Sequence, residues 1–534
     1  MNSHIPKNEV MVMSSLFKTH DEMTRLFKLK LHNKLDRMGK LFTTDLNNYF
    51  YDTGTGKVLV LDDDSFKIMN ALFNLKDMLS VEQMVIQEIA SKDKIIDFEN
   101  TVRAEHLFLA PELDRLYSYD HYEGLKDRIN EGLEQIILEL TGRCNLRCGY
   151  CIYNDDCDLN RNFHQDDMSL EIAKAAVEYT AKHSREEVAV TFYGGEPLLK
   201  FDLLKWVIEY SRQIMRDKKL TFSLTTNMTL VTKEIAEYFA SVPNLSLVCS
   251  MDGPEYVQDS YRKYANGKGS FSRAFQGLKL LAEAFSASQN VLSINAVFAP
   301  PYTYDKLNDI NSFFAEIDFL PKHTEITIGY ASKGSVEEDE YIAELHQNPK
   351  YSHNNENIVS PLWIWMKKQV ESHSAIRSDK NNVYSSSIER TLNRVENRFL
   401  TDEPRNIFPF NGCCVPGARR LYVSTTGELF VCERVGNSPS IGHVFTGINF
   451  DNIQKYYVQD YSDGSIEQCK NCWAVRLCNT CYAANFTQEG FDSKNKNMKC
   501  EALRHSLLSE LALYHSIREI TPEKLNFLED IEVY

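Results

Sequence analysis

The stretch "EQIILELTGRCNLRCGYC", residues 134–151, joins an apolar segment to a loop that carries three cysteines. Its first eight residues, 134–141, have the length and apolar character of a buried β-strand. Cys144, Cys148 and Cys151 follow at the spacing C-x-x-x-C-x-x-C. Thiolates at this density are typical of zinc or iron–sulfur sites. A structural zinc site takes four protein ligands, whereas three cysteines leave one iron of a four-iron cluster free to bind a substrate or cofactor.

The residues after this loop alternate between strands and helices up to about residue 330. Five further strands are predicted in "VAVTFYGGEP", "LTFSLTTN", "LSLVCSMDG", "VLSINAVF" and "TEITIGY". Helices are predicted near 169–183, 203–216, 232–240, 271–286 and 304–316. Six such repeats predict a parallel α/β sheet with helices outside it, either an open barrel or a doubly wound fold. Gly-Gly-Glu-Pro, Thr-Thr-Asn and Ser-Met-Asp-Gly fall at the carboxyl ends of strands, where parallel α/β folds bind ligands.

Composition limits the class of protein. A chain of 534 residues is too long for one hydrophobic core, so two to four domains are expected. The net charge of -16 argues against a nucleic-acid partner, because phosphate binding needs a local surplus of Lys and Arg. No apolar run has the length of a signal peptide or a membrane span, so we expect a soluble cytoplasmic protein without a membrane partner.

The 13 cysteines are unevenly placed, and the cytosol would keep them reduced. Three lie between 144 and 151 and eight between 413 and 500, which is the distribution expected of metal sites. Cys249 lies in an apolar strand and is interpreted as a buried core thiol.

The chain divides at changes in this pattern. Residues 1–115 lack cysteine, and "KVLVLDDDSFKIMNALF" predicts a strand, Val58 to Leu61, followed by a helix. A strand pair followed by short helices is typical of a winged-helix module, and a simple packing domain is the alternative. The other predicted units are a linker (116–133), the α/β unit (134–330), a polar insertion (331–405), a cysteine-rich domain (406–505) and a helical tail (506–534). In the insertion, Trp363 and Trp365 are interpreted as packing residues.

The motifs of the α/β unit resemble the radical S-adenosylmethionine (SAM) superfamily. "CNLRCGYC" is similar to the family's cluster-binding signature, and "YGGEP", "TTN" and "SMDGP" follow in family order over about 200 residues. The resemblance implies a partial (β/α)6 TIM barrel with a 4Fe-4S cluster on Cys144, Cys148 and Cys151. It also implies that SAM binds near the cluster, at Tyr150, Gly194, Gly195, Glu196, Thr226, Asn227, Ser250 and Asp252.

The family's chemistry is radical chemistry. The resemblance implies that the SAM amino and carboxylate groups occupy the free iron, and that an electron from the reduced cluster breaks the sulfonium C–S bond. The resulting 5'-deoxyadenosyl radical abstracts a hydrogen atom from the substrate. The protein orients the reactants and excludes water, because the cofactor carries the difficult chemistry.

A second group of cysteines lies near the end of the chain. "CVPGARRLYVSTTGELFVC" spans 414–432, and "CKNCWAVRLCNTC" spans 469–481. Two C-x-x-C pairs are compatible with a zinc ribbon, but seven or eight cysteines exceed the needs of one zinc site. The layout resembles the SPASM extension of radical SAM enzymes, which implies two auxiliary 4Fe-4S clusters. The implied ligands are Cys414, Cys432 and Cys481 for the first cluster, and Cys469, Cys472, Cys478 and Cys500 for the second.

Two features depart from the SPASM pattern. The family usually has three residues before the cysteine matched by Cys481, and this chain has two, "NT". The fourth ligand of the first auxiliary cluster is either Cys413 or absent, and an open iron there suits a substrate thiolate. Glu433 is the candidate proton acceptor because it follows Cys432, with an exposed strand carboxylate as the alternative.

The architecture suggests a peptide substrate. SPASM-bearing enzymes commonly modify peptides, and the N-terminal module resembles the leader-recognition element of maturases that act on ribosomally made peptides. The leading hypothesis is a maturase that forms Cys thioether cross-links, with a precursor peptide and an external reductant such as flavodoxin or ferredoxin as partners. The alternatives are an anaerobic sulfatase maturase, which forms formylglycine, and a non-catalytic iron–sulfur or zinc protein.

Overall fold

The protein is described by a computed structural model. It covers residues 21–74, 83–84, 87–154, 162–321, 324–331, 361–373, 375–377, 381–404, 408–483 and 485–530. Cys157 and residues 332–360 of the predicted insertion lie outside the described residues. None of the helices in the described ranges has both the length and the apolar character needed to cross a membrane.

The N-terminal residues form a small three-stranded antiparallel sheet with helices. α1 (Asp21–Leu31) precedes β1 (Gly39–Thr43), β2 (Asn48–Asp52) and β3 (Val58–Leu61), and α2 (Asp63–Asn74) and α3 (Lys92–Ala104) follow. The strand and helix predicted in 57–73 are therefore present. A separate core includes Leu26, Phe50 and Phe98. We call residues 21–104 the N-terminal module.

The edge of this sheet at β3 has no partner strand among the described residues. The strand order is β1-β2-β3, so within this part of the chain β3 pairs on one side only. The Asp52 N–H donates to the Lys57 carbonyl (2.9 Å), and the register places Tyr51 opposite Val58 and Tyr49 opposite Val60. Because hydrogen-bonded and non-hydrogen-bonded pairs alternate in an antiparallel ladder, the backbone N–H groups of Val58 and Val60 point away from β2.

The central unit begins after α4 (Leu125–Glu131) and contains six parallel strands. They are β4 (Leu133–Thr141), β5 (Ser184–Gly194), β6 (Lys219–Thr226), β7 (Leu245–Ser250), β8 (Val291–Phe298) and β9 (Glu325–Tyr330). The helices between them are α5 (Leu170–His183), α6 (Phe201–Ile214), α7 (Lys233–Ser241), α8 (Glu255–Tyr261), α9 (Phe271–Phe285) and α10 (Tyr304–Glu316). The predicted strands and helices are confirmed, and α8 is an addition.

The strand order distinguishes the two folds that the sequence left open. β4 to β9 are neighbours in chain order and all parallel. A doubly wound sheet would reverse direction at a switch point. The sheet is therefore wound in one direction, as in a barrel. Successive side chains alternate between the helices and the inner face, and small polar groups occupy the inner face: Gln135 Nε2 donates to Thr191 Oγ1 (2.7 Å), which bonds Ser223 Oγ (2.7 Å).

The cysteine-rich residues continue the same sheet. After α11 (Pro361–Ser372) and α12 (Ser385–Glu396), strand β10 (Leu421–Val423) pairs in parallel with β4. β11 (Glu428–Phe430), β12 (Gly442–His443) and β13 (Gly447–Ile448) extend the edge. In α11, Trp365 is 3% exposed and donates to Asn308, which confirms its interpretation as a packing residue.

The remaining elements are mainly helical. α13 (Phe450–Asn452) continues through a π-helical segment (Ile453–Asp460) into α14 (Tyr461–Cys469). β14 (Phe486–Thr487) and β15 (Gly490–Phe491) form a hairpin before α15 (Ser493–Ile520). The closing helix starts at Ser493, so it contains Cys500 rather than following it.

The N-terminal module packs on the second cysteine region. The Arg37 guanidinium donates to the carbonyl of Lys470 (3.0 Å), and the Thr53 hydroxyl donates to the carbonyl of Trp473 (2.7 Å). These carbonyls directly follow Cys469 and Cys472 in sequence. On α15, the His515 ring lies against those of Tyr49 and Phe42, with centroids 4.6 and 5.7 Å away.

Candidate active site with three cysteine clusters

The end of β5 holds the three-cysteine loop in place. The N–H of Gly195 donates to the carbonyl of Thr141, and the N–H of Glu196 donates to that of Arg143, both at 2.9 Å. Gly194 has φ +133, a backbone conformation that favours glycine. A Cβ on Gly195 would lie 2.1 Å from the Arg143 carbonyl oxygen. Both glycines are therefore required for contact with the loop backbone, in addition to any role in binding SAM.

Glu196 links this strand end to the next one. Its carboxylate accepts hydrogen bonds from the Thr226 hydroxyl (2.8 Å) and from the N–H groups of Leu198 (3.1 Å) and Asn227 (2.8 Å). Burial raises the pKa of this carboxyl, and the three donors oppose that shift. The Asn227 side chain then donates to Asn145 Oδ1 (2.9 Å), which follows Cys144. The predicted residues Glu196, Thr226 and Asn227 thus form one network beside the cysteines.

A second network lies on the other side of the loop. The Tyr150 hydroxyl donates to Asp252 Oδ2, and the Arg262 guanidinium donates to the Tyr150 hydroxyl (2.8 Å). Asp252 also accepts from the N–H of Val297 (3.0 Å) and is 1% exposed. Arg262 carries the positive charge of this buried group, with Nη1 3.8 Å from Asp252 Oδ1.

One cavity joins the two networks. It is lined by Cys144, Cys148, Tyr150, Cys151, Gly194, Gly195, Glu196, Thr226, Asn227, Ser250 and Arg262. Asp252 does not line it and acts through Tyr150. The structure therefore brings together the SAM-site residues predicted from sequence, with Asp252 one contact away.

Two residues of this region were missed by the sequence analysis. Arg262 follows α8, a helix that the sequence analysis omitted, and its sequence context carries no signal. Glu139 is a 1% exposed carboxylate on β4 that accepts from the Tyr153 hydroxyl and the Thr425 N–H, both at 3.2 Å. An acidic residue inside the apolar run "IILEL" was a signal that could have identified it. His164 Nε2 lies 3.7 Å from Glu139, which raises the pKa of the imidazole.

The three thiols suit an iron–sulfur cluster. Burial raises the pKa of Cys144 to about 12 and that of Cys151 to about 11. Thiols in this state are uncharged at neutral pH, so a bound metal must displace their protons. Three soft donors beside a cavity with polar walls fit a cluster with one open position, which would place SAM against Glu196, Asn227 and Arg262.

Four cysteines of the C-terminal region line a second cavity. These are Cys469, Cys472, Cys478 and Cys500, the ligands predicted for the second auxiliary cluster. Lys496 and Arg504, both on α15, line it as well. Among the residues that the structure covers, no group of three or more His, Cys, Asp or Glu side chains is arranged to hold a single metal ion.

The remaining cysteines of this region are Cys413, Cys414, Cys432 and Cys481. Burial raises the pKa of Cys413, with the neighbouring Cys481 and Cys414 adding to the shift. Cys414 is the exposed member of the pair. Arg420 interacts with both Cys432 and Cys414, so it connects the predicted ligands on the two sides of the hairpin. Cys249 is fully buried, as predicted.

Glu433, the predicted proton acceptor, is bound by arginine. Arg420 Nη1 donates to Glu433 Oε1 (3.0 Å), and Arg434 Nε lies 3.6 Å from the same oxygen. Its side chain is 12% exposed, so the alternative of an exposed strand carboxylate does not describe it. Within the described residues, Oε2 is buried and accepts no hydrogen bond.

Comparisons with known proteins identify the central unit. Residues 138–314 match the Radical SAM superfamily. The cysteine-type anaerobic sulfatase-maturating enzyme of Clostridium novyi is 23% identical over 384 residues, 70% of this chain and 94% of that enzyme. The radical SAM cyclopropyl synthase TigE of Paramaledivibacter caminithermalis is 24% identical over 442 residues, 79% of this chain and 83% of that protein. For two other relatives, each 32% identical, the chain spans only 49% and 41% of their length.

A solved structure supports the fold. Native anSMEcpe with bound AdoMet and Cp18Cys peptide is 18% identical and covers 75% of this chain and 100% of its own, with a TM-score of 0.51. At this identity the likeness concerns the fold alone. The family match makes residues 138–314 a radical SAM domain, and the solved structure agrees with it in fold. This domain and the enzymes to which the chain is similar indicate that the protein is an enzyme, and a radical SAM domain implies one 4Fe-4S cluster and SAM.

Proposed function

We propose that this enzyme modifies a ribosomally made precursor peptide and forms Cys thioether cross-links. In this reaction a C–S bond forms, one C–H and one S–H bond break, and the peptide loses two hydrogen atoms. When bound at Cys144, Cys148 and Cys151, the cluster and SAM would supply the radical that removes the first hydrogen atom. The second hydrogen would leave as the thiol proton when the C–S bond forms, and an auxiliary cluster would accept the electron left on the product. An external reductant such as flavodoxin or ferredoxin supplies the electron, and the need for reduced thiols favours the cytoplasm.

The observation that carries this proposal is the N-terminal module. Its strand β3 presents the outward N–H groups of Val58 and Val60, and Val60 is 62% exposed. Such an edge binds an extended peptide as an added strand, with affinity from main-chain hydrogen bonds and specificity from side-chain pockets. The three-stranded sheet with helices supports the winged-helix interpretation and a leader-binding role.

The remaining parts of the site have assigned roles in this proposal. In this proposal Glu196 and Asn227 line the side of the cavity that binds the amino group and the ribose of SAM. Arg262 and Ser250 bind the carboxylate of SAM. Cys414, Cys432 and Cys481 hold the first auxiliary cluster, whose fourth position is taken by Cys413 or left open for a substrate thiolate. Cys469, Cys472, Cys478 and Cys500 hold the second. Glu433 accepts the substrate proton through Oε2, since its other oxygen is bound by Arg420.

A second candidate function is sulfatase maturation, the conversion of Cys or Ser to formylglycine. The similarity to the Clostridium novyi enzyme over 70% of this chain favours it. The two functions predict different products from a cysteine peptide. Thioether formation retains the sulfur and blocks the thiol, whereas formylglycine formation replaces the sulfur with oxygen.

The deciding experiment is anaerobic incubation of the reconstituted, reduced enzyme with SAM and a cysteine-containing peptide encoded near its gene. The proposal expects a product that has lost two hydrogens, retains sulfur and no longer reacts with iodoacetamide. A sulfatase-type Cys peptide serves as the parallel substrate, and conversion of that peptide alone would favour the second function. Cleavage of SAM without change in either peptide would contradict both.

The metal content tests the cluster assignment separately. We expect about twelve irons in the wild type and about eight after Cys144, Cys148 and Cys151 are replaced by Ala, since each cubane holds four. About four irons with bound zinc would make the C-terminal cysteines structural.

A further inference from the structure

A buried ammonium group lies against the four cysteines of the second auxiliary site. Lys496 is 2% exposed, although it is a lysine on a long helix near the surface. Its Nζ lies 3.6 Å from Cys469 Sγ and donates to Asn411 Oδ1 (3.1 Å). The ring centroid of Tyr461 lies 4.8 Å away. No carboxylate of the described residues pairs with it.

This position is unfavourable for a lysine unless an anion is close. Burying an ammonium group costs free energy that only a paired negative charge recovers. Asn411 and Tyr461 are neutral, so among the described neighbours of this ammonium group the cysteine sulfurs are the groups that can carry negative charge. Cys500 lies on the same helix, and its thiol is within 3.6 Å of the Lys496 carbonyl. The cation is thus placed where four thiolates and a cluster would carry net negative charge.

We propose that Lys496 is the buried counter-ion of the second auxiliary cluster and raises its reduction potential. Reduction adds one negative charge to the cluster, so a fixed positive charge at this distance stabilises the reduced form more than the oxidised form. Net charge and hydrogen bonds to the sulfurs are the levers that set such potentials. The inference rests on the proposed function in one respect, that these four cysteines hold a cluster.

Lys496 differs from the other cations near this site. Arg504 lines the same cavity but is only partly buried, so water and salt screen its charge. Lys494 lies two residues earlier on α15 and is exposed. Replacing Lys494 by a neutral residue therefore removes one positive charge from α15, as replacing Lys496 does, but leaves the buried contact with Cys469 unchanged.

The test uses full-length protein in which Cys144, Cys148 and Cys151 are replaced by Ala, so that only auxiliary clusters remain. Lys496→Met, Lys496→Gln, Lys496→Arg and the control Lys494→Met are made in this background. Each is reconstituted anaerobically, counted for iron, and titrated with reductant while the two cluster signals are followed by electron paramagnetic resonance.

The expected result is that one of the two potentials falls in Lys496→Met and Lys496→Gln. The reduction equilibrium should change at least tenfold, which is 59 mV for one electron. Lys496→Arg and Lys494→Met should leave both potentials in place. Loss of four irons from both neutral variants but not from Lys496→Arg also supports the inference, because only charge separates them.

Two results overturn it. If the neutral variants retain about eight irons and neither potential moves, Lys496 does not act on the cluster. If Lys496→Arg loses irons as the neutral variants do, the lysine's shape rather than its charge matters. A parent protein with fewer than about eight irons, or with zinc, removes the premise and contradicts the cluster assignment of the proposed function. The iron count thus separates the two failures.

Discussion

At the scale of single residues, the site depends on backbone contact between the end of β5 and the cysteine loop. Gly195 has no room for a side chain, and the Glu196 carboxylate accepts hydrogen bonds from the Thr226 hydroxyl and the Asn227 N–H. The glycine and glutamate of this motif thus shape the loop as well as the cavity wall. If SAM binds in this cavity as proposed, the same three residues, Gly194 to Glu196, couple the geometry of the loop to cofactor binding.

Gly195→Ala tests this coupling. The added Cβ would lie 2.1 Å from a backbone carbonyl oxygen, so the loop must move, and SAM cleavage by the reduced enzyme should fall at least about tenfold. The control is Gly329→Ala, since a Cβ there meets nothing within 4 Å. Peptide-independent formation of 5'-deoxyadenosine is the measurement. Equal rates in both variants would show that the close contact is dispensable.

Glu196→Gln tests the carboxylate itself. The NH2 group of the new glutamine side chain would face N–H or O–H donors that bond to a carboxylate oxygen in the wild type. Loss of such a hydrogen bond lowers the stability of the folded protein by about 1–3 kcal/mol. We expect weaker SAM binding and a lower thermal midpoint than in the wild type. Glu255→Gln, a change to the exposed first residue of α8, is the matched control. If Glu196→Gln binds SAM as tightly as the wild type, the negative charge of Glu196 is not needed for SAM binding and its hydrogen bonds suffice.

The sequence predicted much of this site because motifs at strand ends carry their own positional information. Parallel strands end at one edge, so Gly194, Asn227 and Ser250 had to meet near Cys144. Arg262 was not predictable in the same way, because its position depends on how the chain turns after α8. Glu139 gave a signal, a charged residue in a buried strand, and its hydrogen bonds from Tyr153 and Thr425 explain how that charge is accommodated.

At the scale of elements, two features matter most: the unpaired edge of β3, which is the proposed peptide-binding strand, and helix α15, which contacts both the N-terminal module and the second cysteine site. β3 presents outward backbone groups, and α15 holds both Lys496 and His515. The positions of the strands and helices in the barrel could be predicted from the spacing of apolar residues along the sequence. The pairing of β10 with β4 did not, since three-residue strands have too short a pattern to reveal their partner.

Val60→Pro tests peptide binding at β3. Proline removes an outward N–H group but no hydrogen bond to β2, so the module should fold while the precursor peptide binds at least about tenfold more weakly. Val60→Thr keeps the N–H group and is the control. Binding is measured by fluorescence polarisation of a labelled leader segment. Unchanged affinity in Val60→Pro would exclude strand addition at this edge.

His515→Phe tests the docking of the N-terminal module on α15. Burial lowers the pKa of His515 from 6.5 to about 4, so the ring is neutral when docked. The unfolded or undocked form takes up the proton first, so docking is strongest above pH 6.5 and weakens as pH falls toward 4. At pH 5 the loss is at most about 2 kcal/mol.

Limited proteolysis at pH 7.5 and pH 5 measures this dependence. The wild type should release the module faster at pH 5, whereas His515→Phe should show a smaller change, because Phe stacks without titrating. His32→Gln, at an exposed histidine, should behave like the wild type. A wild-type pH dependence that persists in His515→Phe would assign it to another group.

At the scale of the whole molecule, the module and the second cysteine region share one contact surface. Arg37 is 6% exposed and donates to the carbonyls of Ala110, Pro111 and Lys470, so it joins the module to the loop between Cys469 and Cys472. The sequence indicated the module but not this contact, because residues so far apart in the chain leave no local pattern.

Arg37→Met should therefore separate two activities. Peptide modification should fall about tenfold or more, since a buried hydrogen-bonded charge is lost from the contact. SAM cleavage without peptide should stay near the wild-type rate, because neither Arg37 nor the residues to which it donates line the SAM cavity. Arg25→Met is the control, as its guanidinium donates to Glu22 of the module and to the carbonyls of Leu107 and Phe108, which follow the module closely in the chain. Equal losses in the two variants would point to module folding instead.

The Thr53 and Arg37 contacts have a consequence for the choice of the modified residue. These contacts fix the module to the second cysteine region. If the precursor peptide binds at β3 as proposed, only a segment of set length can reach the SAM cavity. The distance of a residue from the bound leader, measured along the peptide, would then decide whether it is modified. The amino acids next to the target would matter less. Inserting two residues after the leader should move the modification two positions toward the leader, while the chemistry stays the same.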